Sequence, residues 1–470
     1  GFRGKIFCTE PTYDLVNIML QDSGFIHEKE AEWENKKRMR AGEKPVEPLY
    51  TYEDAVRAMV YFEPALYDQM IIINDKIKVR FNDAGHILGS SIIELWITED
   101  DKTSKIVYSG DLGMKDKPIL RNPANIREAD FLIMETTYGD RLHEEKGSRI
   151  DILKDIILKT TKRGGNVIIP SFAVGRTQEI LYELNKYYEY HTELRDVLSK
   201  IPVYVDSPLA ISATEIFENN AQVFDEETRD YILNGDNPLD FENLNFTRSA
   251  EESMALNIDK TPKIIISASG MADAGRIKHH LKHNLWNEAC SIVFVGYQAE
   301  GTLGRRITDG QKEVKIFGEV IQVKAEVYSI EGFSGHADQN ELIEWLSHFD
   351  KKPSAIFLVH GEAAARKAFA DRVKNELNFD CILAHPDEVY ELHKAVEVHY
   401  IEKDSKVSFD DLMKLSDRIY TLRSQMEHIL YQTRLSVGTE IEADKYEAIN
   451  NRIIELEKDI ISLAVIIGER

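Results

Sequence analysis

The sequence predicts an α/β protein. Three observations carry that expectation: short apolar, β-branched runs recur along the chain, each ends on a small or polar residue, and helix-compatible stretches separate most of them. In chain order, residues 1–8 alternate and close on an apolar run, as an interior strand would. Residues 28–47 are dense in charges of both signs and read as a solvated helix, then a loop reaching Pro45 and Pro48. A strand at residues 77–81 enters the Gly-flanked turn Asp83-Ala84-Gly85-His86-Ile87-Leu88-Gly89-Ser90. Residues 106–108 precede Ser109-Gly110-Asp111, residues 131–134 precede Glu135, and residues 166–169 precede Pro170-Ser171. Further strands at 203–205, 264–266, 292–295 and 356–359 deliver Asp206, Ser267, Gly296 and His360. In such alternating chains ligands gather outside the carboxyl ends of strands. Beyond them, Leu412, Leu415, Ile419, Leu422, Met426 and Ile429, and then Tyr446, Ile449, Ile453, Leu456, Ile460, Leu463 and Ile467, keep a three-four spacing. With Gly438 between the two series, a C-terminal helical hairpin is predicted, packed on its own chain or on a second subunit as a homodimer.

Composition narrows the function. A chain of 470 residues with 43% hydrophobic content can bury a large core and divide into two to four units. No apolar run is long enough to span a membrane, and no GxSxG, Walker or GxGxxG pattern competes for the assignment, so the reading is a soluble, cytoplasmic protein. The three cysteines, Cys8, Cys290 and Cys381, are far apart and fit small buried hydrophobes better than a disulfide or a Cys-type zinc site. A net charge of −23 argues against coating nucleic acid by bulk electrostatics, so any such site must be a local groove. The densest basic stretch is residues 260–283, with Lys260, Lys263, Arg276, Lys278, Lys282 and three histidines.

Five positions stand out as chemistry. His86 lies in the glycine-flanked turn; Asp111 is held between Gly110 and Gly113 and has two oxygens to share between metals; Glu135 ends a strand before Thr136-Thr137-Tyr138-Gly139-Asp140-Arg141. His336 follows the turn Phe333-Ser334-Gly335, and His360 ends the strand before Gly361-Glu362. Singly, each also fits a structural turn. Together and in this order they form a far rarer set.

That ordered set resembles the third and fourth metallo-β-lactamase motifs followed by motifs A, B and C of the β-CASP nucleases. Supporting runs are Ser171-Phe172-Ala173-Val174-Gly175-Arg176-Thr177-Gln178-Glu179, Val205-Asp206-Ser207-Pro208, Ser269-Gly270-Met271 through Gly275-Arg276, and Phe294-Val295-Gly296-Tyr297-Gln298. The resemblance covers roughly residues 1–400 and is nearest the bacterial and archaeal branch related to the cleavage-and-polyadenylation endonuclease. It implies an αββα metallo-β-lactamase sandwich split in sequence, at residues 1–149 and 326–403, with a parallel α/β β-CASP domain inserted at 150–325 and the hairpin at 404–470. It also implies two zinc ions, with His86, Asp111 and His360 as ligands and Asp111 bridging. His336, aimed by Glu135, would be the general acid of phosphodiester hydrolysis. Ser334 and Gly335 would hold the phosphate, as would Ser269 and Gly270 if they open a helix. Arg276 fits either a phosphate clamp or a structural ion pair. His360, where the DNA-acting branch carries Val, and the long insertion between Glu135 and His336 point to single-stranded RNA rather than DNA or a small molecule.

One departure weighs against activity. The run His-x-His-x-Asp-His, which supplies most zinc ligands in the family, does not occur in the 470 residues. The expectation is therefore an N-terminally incomplete chain that is inactive by itself, with a non-catalytic RNA-binding scaffold as the alternative. Endonucleolytic and 5′-to-3′ exonucleolytic cleavage both remain open.

Overall fold

The computed structural model describes residues 2–143, 149–190, 195, 197–330, 333, 335–386, 388–392 and 399–401. The chain divides into two compact units, residues 1–385 with 390–399, and residues 386–389 with 400–470; everything below concerns the first. The predicted hairpin at 404–470 lies outside the described residues.

A seven-stranded sheet runs, edge to edge, Cys381–Leu383, Ala355–Val359, Phe131–Glu135, Lys102–Tyr108, Ser91–Glu99, Ile77–Asp83 and Met70–Ile72. The first four are parallel; two antiparallel steps, through Ser91–Glu99, then return Ile77–Asp83 to the direction of Lys102–Tyr108. Five strands consequently end at one edge of the sheet; Glu135 is the last residue of one of them, and the turns after three others carry His86, Asp111 and His360. One face packs Val107, Leu132, Met134 and Leu358 against Leu342 and Leu346 of helix Gln339–Ser347 and Phe369 of helix Ala363–Leu377. The other face packs Val79 and Phe81 against Ala65 and Phe7. Ala65 and Phe7 belong to a parallel pair, Ile6–Thr9 with Phe62–Ala65. Among the described residues Ile6–Thr9 has this single neighbour, so the strand expected to be interior lies in a two-stranded sheet. Helix Glu10–Ala41 follows it, opened by the Thr9 side chain accepting from Thr12 N and closed at Gly42 in the left-handed conformation, so the predicted charged helix ends before Pro45.

The second sheet has six parallel strands in the order Leu244–Phe246, Val203–Val205, Ile264–Ser267, Val167–Pro170, Ser291–Phe294, Glu326–Ser329. Period-two alternation explains its two cores. Val167, Ile169, Val203, Val205, Ile264 and Ile266 face helices Arg149–Lys162, Arg176–Tyr190 and Pro208–Asn219, while Ile168, Ile265, Ile292 and Phe294 face helix Ile277–Asn284. Because Glu326–Ser329 pairs within this sheet, the inserted unit runs past residue 325, where the sequence reading ends it. Cys8 and Cys290 are buried and Cys381 is half-buried, all as free thiols. Among the described residues no helix is long and apolar enough to cross a membrane.

Candidate metal and catalytic site

The shared strand edge brings together all five residues that stand out in the sequence. Gly85 adopts φ +66°, which lets the chain reverse and drop His86 into the site. The His86 ring is nearly enclosed, 3.9 Å by Nε2 from Asp111 Oδ2 and 4.3 Å, centroid to centroid, from the His336 ring. Burial first, then the neighbouring His336 and Lys117, push its pKa down to about 3, so the imidazole is neutral, the form that binds metal. Its Nδ1 is buried without a hydrogen-bond partner. Asp111 Oδ1 lies 2.9 Å from His360 Nδ1. His360 sits at φ +46°, an uncommon region for a side chain with a Cβ. Its carbonyl is held there by Thr136 N at 3.0 Å, and its Nδ1 is 3.2 Å from Thr137 Oγ1.

Glu135 is buried beneath this cluster. Its Oε1 accepts from Leu112 N at 2.6 Å and meets His336 Nδ1 at 3.2 Å, while Oε2 accepts from Thr137 N at 3.1 Å and Thr137 Oγ1 at 2.6 Å. Burial works to raise the pKa of this carboxyl, but the bonds from His336 and Thr137 outweigh it and hold the group below its ordinary range. His336 arrives from the far side of the second sheet and is pinned by Met114 N donating to Gly335 O (3.1 Å) and Ala337 N to Leu112 O (2.8 Å). His143, which the sequence reading did not single out, adds a 2.8 Å contact from Nε2 to the His336 carbonyl and donates its backbone N–H to Asp338.

Donor atoms of His86, Asp111 and His336, and of Asp111, Glu135 and His360, form two overlapping groups whose members lie within 4.8 Å of one another. The buried, unpartnered His86 nitrogen, the two-oxygen Asp111 and the neutral-imidazole chemistry suit a divalent metal. Within these groups, His86 with Asp111 and Asp111 with His360 are the pairs that would serve as ligands, leaving Glu135 committed to His336.

Above the cluster opens a cleft of about 710 Å³. One wall belongs to the seven-stranded sheet and includes His86, Thr137, Tyr138, Arg141, His336 and His360; the other comes from the six-stranded sheet and includes Phe172, Arg176, Met271 and Tyr297. Gly335 lines the cleft beside His336; Ser334 lies outside the described residues. Ser269 and Gly270 do not open a helix, because the helix there begins at Ile277, and neither lines the cleft. Arg276 takes the structural ion pair: Nη1 donates to Asp206 Oδ1 at 2.7 Å and to Thr247 O, and Nη2 to Arg248 O, and it is not among the residues lining the cleft. Asp206 is fully buried and also accepts from Thr247 Oγ1, Ser253 Oγ and His280 Nε2, each at 2.6 Å. Within the basic stretch 260–283, Lys263 pairs with Asp259 and Lys282 with Glu319, and of its residues only Met271 lines the cleft.

The cations that do line the cleft are Lys117, Arg141 and Arg176, against Glu362 as the lining carboxylate. Lys117 is buried, donates to His86 O at 3.0 Å and lies 3.7 Å from Glu179 of the opposite domain. Arg141 ends the run that begins at Glu135, but the sequence reading gave it no role; Lys117 had no local signal.

Residues 177–307 match the family model of the Beta-Casp domain, and residues 320–384 that of the Zn-dependent metallo-hydrolase RNA specificity domain. A ribonuclease of Thermus thermophilus is 35% identical over 362 residues, which is 77% of this chain and 76% of the relative. An RNase J-like protein of Methanocaldococcus jannaschii is 35% identical over 370 residues, 78% of each. Transcription termination factor FttA of the same organism is 34% identical over 385 residues, 80% of this chain but 57% of its own length.

Proposed function

The chain belongs to the β-CASP family of metallo-β-lactamase-fold ribonucleases, and we propose that its cleft receives single-stranded RNA and hydrolyses a phosphodiester bond over the cluster of His86, Asp111, Glu135, His336 and His360. The observation that carries this reading is the convergence of those five side chains, from five separated segments, at one cleft, which His86, His336 and His360 line while Asp111 and Glu135 stand behind them. The metallo-hydrolase domain it matches is zinc-dependent, so a metal belongs to this site; that the complete site takes two zinc ions is part of the proposal.

When bound, zinc would supply Lewis-acid stabilisation of the charge that develops on the phosphate. The chain's own residues do the rest. Glu135, locked by three donors besides the imidazole, fixes the His336 ring through Nδ1. Proton donation to the leaving oxygen then runs through Nε2. The two walls confine an unpaired strand.

His86, Asp111 and His360 are fewer donors than two zinc ions require, and the 470 residues contain no His-x-His-x-Asp-His run. We therefore expect this polypeptide to be poor in metal and slow by itself; the same shortage favours the second reading, a non-catalytic RNA-binding scaffold. A cytoplasmic location and a homodimer remain parts of the proposal. Zinc content by elemental analysis on protein purified without chelator, combined with cleavage of a labelled single-stranded RNA with and without added zinc, separates the readings. Zinc well under one per chain with cleavage restored by added zinc supports the enzyme. RNA binding with no cleavage at any zinc level supports the scaffold. Equal binding of single-stranded RNA and duplex DNA overturns both.

A further inference from the structure

We infer that Phe172 and Tyr297 form a stacking platform for unpaired nucleobases on the wall of the cleft opposite the metal and catalytic cluster. The inference rests on the cleft being an RNA site and adds how the strand is gripped: by the faces of its bases. Both rings line the cleft, and both are open to water, Phe172 at 46% and Tyr297 at 55%. Leaving aromatic surface in water forgoes the gain that burial would bring, and here neighbouring glycines shape where each ring stands. Gly270 lies beside the Phe172 ring, so close that a Cβ on it would sit 3.0 Å from Phe172 Cδ2 and Cε2. Gly296, just before Tyr297, adopts φ +155°, and a Cβ there would meet Arg176 Nη1 at 2.5 Å. The guanidinium of Arg176 thus packs against the backbone that presents Tyr297.

The chemistry of this wall selects the occupant. Val174, Leu209 and Met271 line the same cleft and offer base faces an apolar surface and base edges no side-chain hydrogen bond. Three cations line the cleft: Lys117 and Arg176 are largely buried beside Glu179, and Arg141, next to Asp140 and about half exposed, is the one a phosphate of the strand can reach. Aromatic rings beside cations are the arrangement that holds a single strand without reading its sequence. A duplex, whose bases are already stacked on one another, cannot use it.

The test is binding of fluorescein-labelled decauridylate, compared with an abasic ribose-phosphate oligomer of equal length, by anisotropy in EDTA so that cleavage does not interfere. Wild type is expected to prefer the base-bearing oligomer and to bind decauridylate and decacytidylate within a few-fold of each other. F172A and Y297A are each expected to weaken decauridylate binding by about 5- to 100-fold while leaving abasic binding unchanged. Y297F, which keeps the ring, should recover most of what Y297A loses, and far-UV circular dichroism with a thermal scan verifies that each variant is folded. Variants that bind decauridylate as wild type does, or that lose both oligomers equally, overturn the platform alone. If wild type binds neither oligomer, the reading of the cleft as an RNA site falls and the platform falls with it.

Discussion

Two buried carboxylates carry the residue-scale argument. Glu135 has its pKa lowered by its bonds to His336 and Thr137 despite burial, so its contribution to stability is present above the unfolded-state value of about 4.3. That contribution is lost as pH falls through the lowered native value. The denaturation midpoint of wild type should therefore drop progressively below about pH 4.3, and E135Q should lack this part of the acid limb; an unchanged limb in E135Q would refute the assignment. Once zinc is supplied, E135Q should also slow RNA cleavage by roughly 10²- to 10⁴-fold, the range for a misdirected general acid. Asp206 is the contrasting case, a carboxylate with no reactive role on this reading. Burial acts against its charge, but His280, Ser253, Thr247 and Arg276 hold its pKa well below the ordinary range. D206A would leave the Arg276 guanidinium without its carboxylate partner, and urea titration should show a loss of about 3–5 kcal/mol with zinc content unchanged. Arg276 shows why residue type alone misleads: a phosphate clamp and an ion pair both use an exposed-looking basic side chain, and the partner that decides between them is 70 positions away.

At the scale of elements, strands were readable because side-chain period and β-branching are local properties. The runs at 131–134, 264–266 and 356–359 all lie within observed strands, each followed by the polar residue expected of it. Turn geometry was partly readable, since a glycine marks a permissive position without saying what packs against it. Gly335 is the instructive example: a Cβ there would sit 2.7 Å from His86 Cε1, so the turn that carries His336 needs its smallest residue to admit the imidazole of another loop. G335A should weaken zinc binding about 10- to 100-fold in competition with a chromophoric chelator, at a stability cost of about 1–3 kcal/mol. Unaltered metal affinity would show that the His86 ring has room to shift. A helix opening at Ser269, the condition on which a phosphate site there rested, does not form, for a comparable reason. Its donors follow a strand, but Ala272 N bonds to the Ser269 carbonyl in a local turn and the helix waits until Ile277.

For the whole molecule, net charge and local charge point in opposite directions. A protein at −23 repels a polyanion at a distance, and the cleft offers three cations, two of them also close to Glu179. Since only Arg141 of the three is substantially exposed, about one to three phosphates can be neutralised, and the slope of log affinity for single-stranded RNA against log salt should be shallow, no steeper than about −2. A slope steeper than about −4 would place most phosphate contacts on a surface other than this cleft. The two sheets meet through buried charge as well as apolar contact. Lys117 links the carbonyl of His86 to Glu179 on the opposite domain, and the Arg121 guanidinium donates to the carbonyls of Gln222 and Phe224.

By itself the sequence marked the α/β class, a run of strands along the chain, and His86, Asp111, Glu135, His336 and His360 as candidates. It could do so because the local signs are written in a few neighbouring residues, a β-branched run, a glycine and a polar side chain at the strand's carboxyl end, and the order of the five positions adds to them. Only the tertiary structure decided that Arg276 and His280 serve Asp206, that Lys117 braces the His86 turn, and that Phe172 and Tyr297 face one cleft. Those outcomes depend on which distant segments share a sheet edge, and burial and pairing between residues tens to hundreds of positions apart leave no local mark.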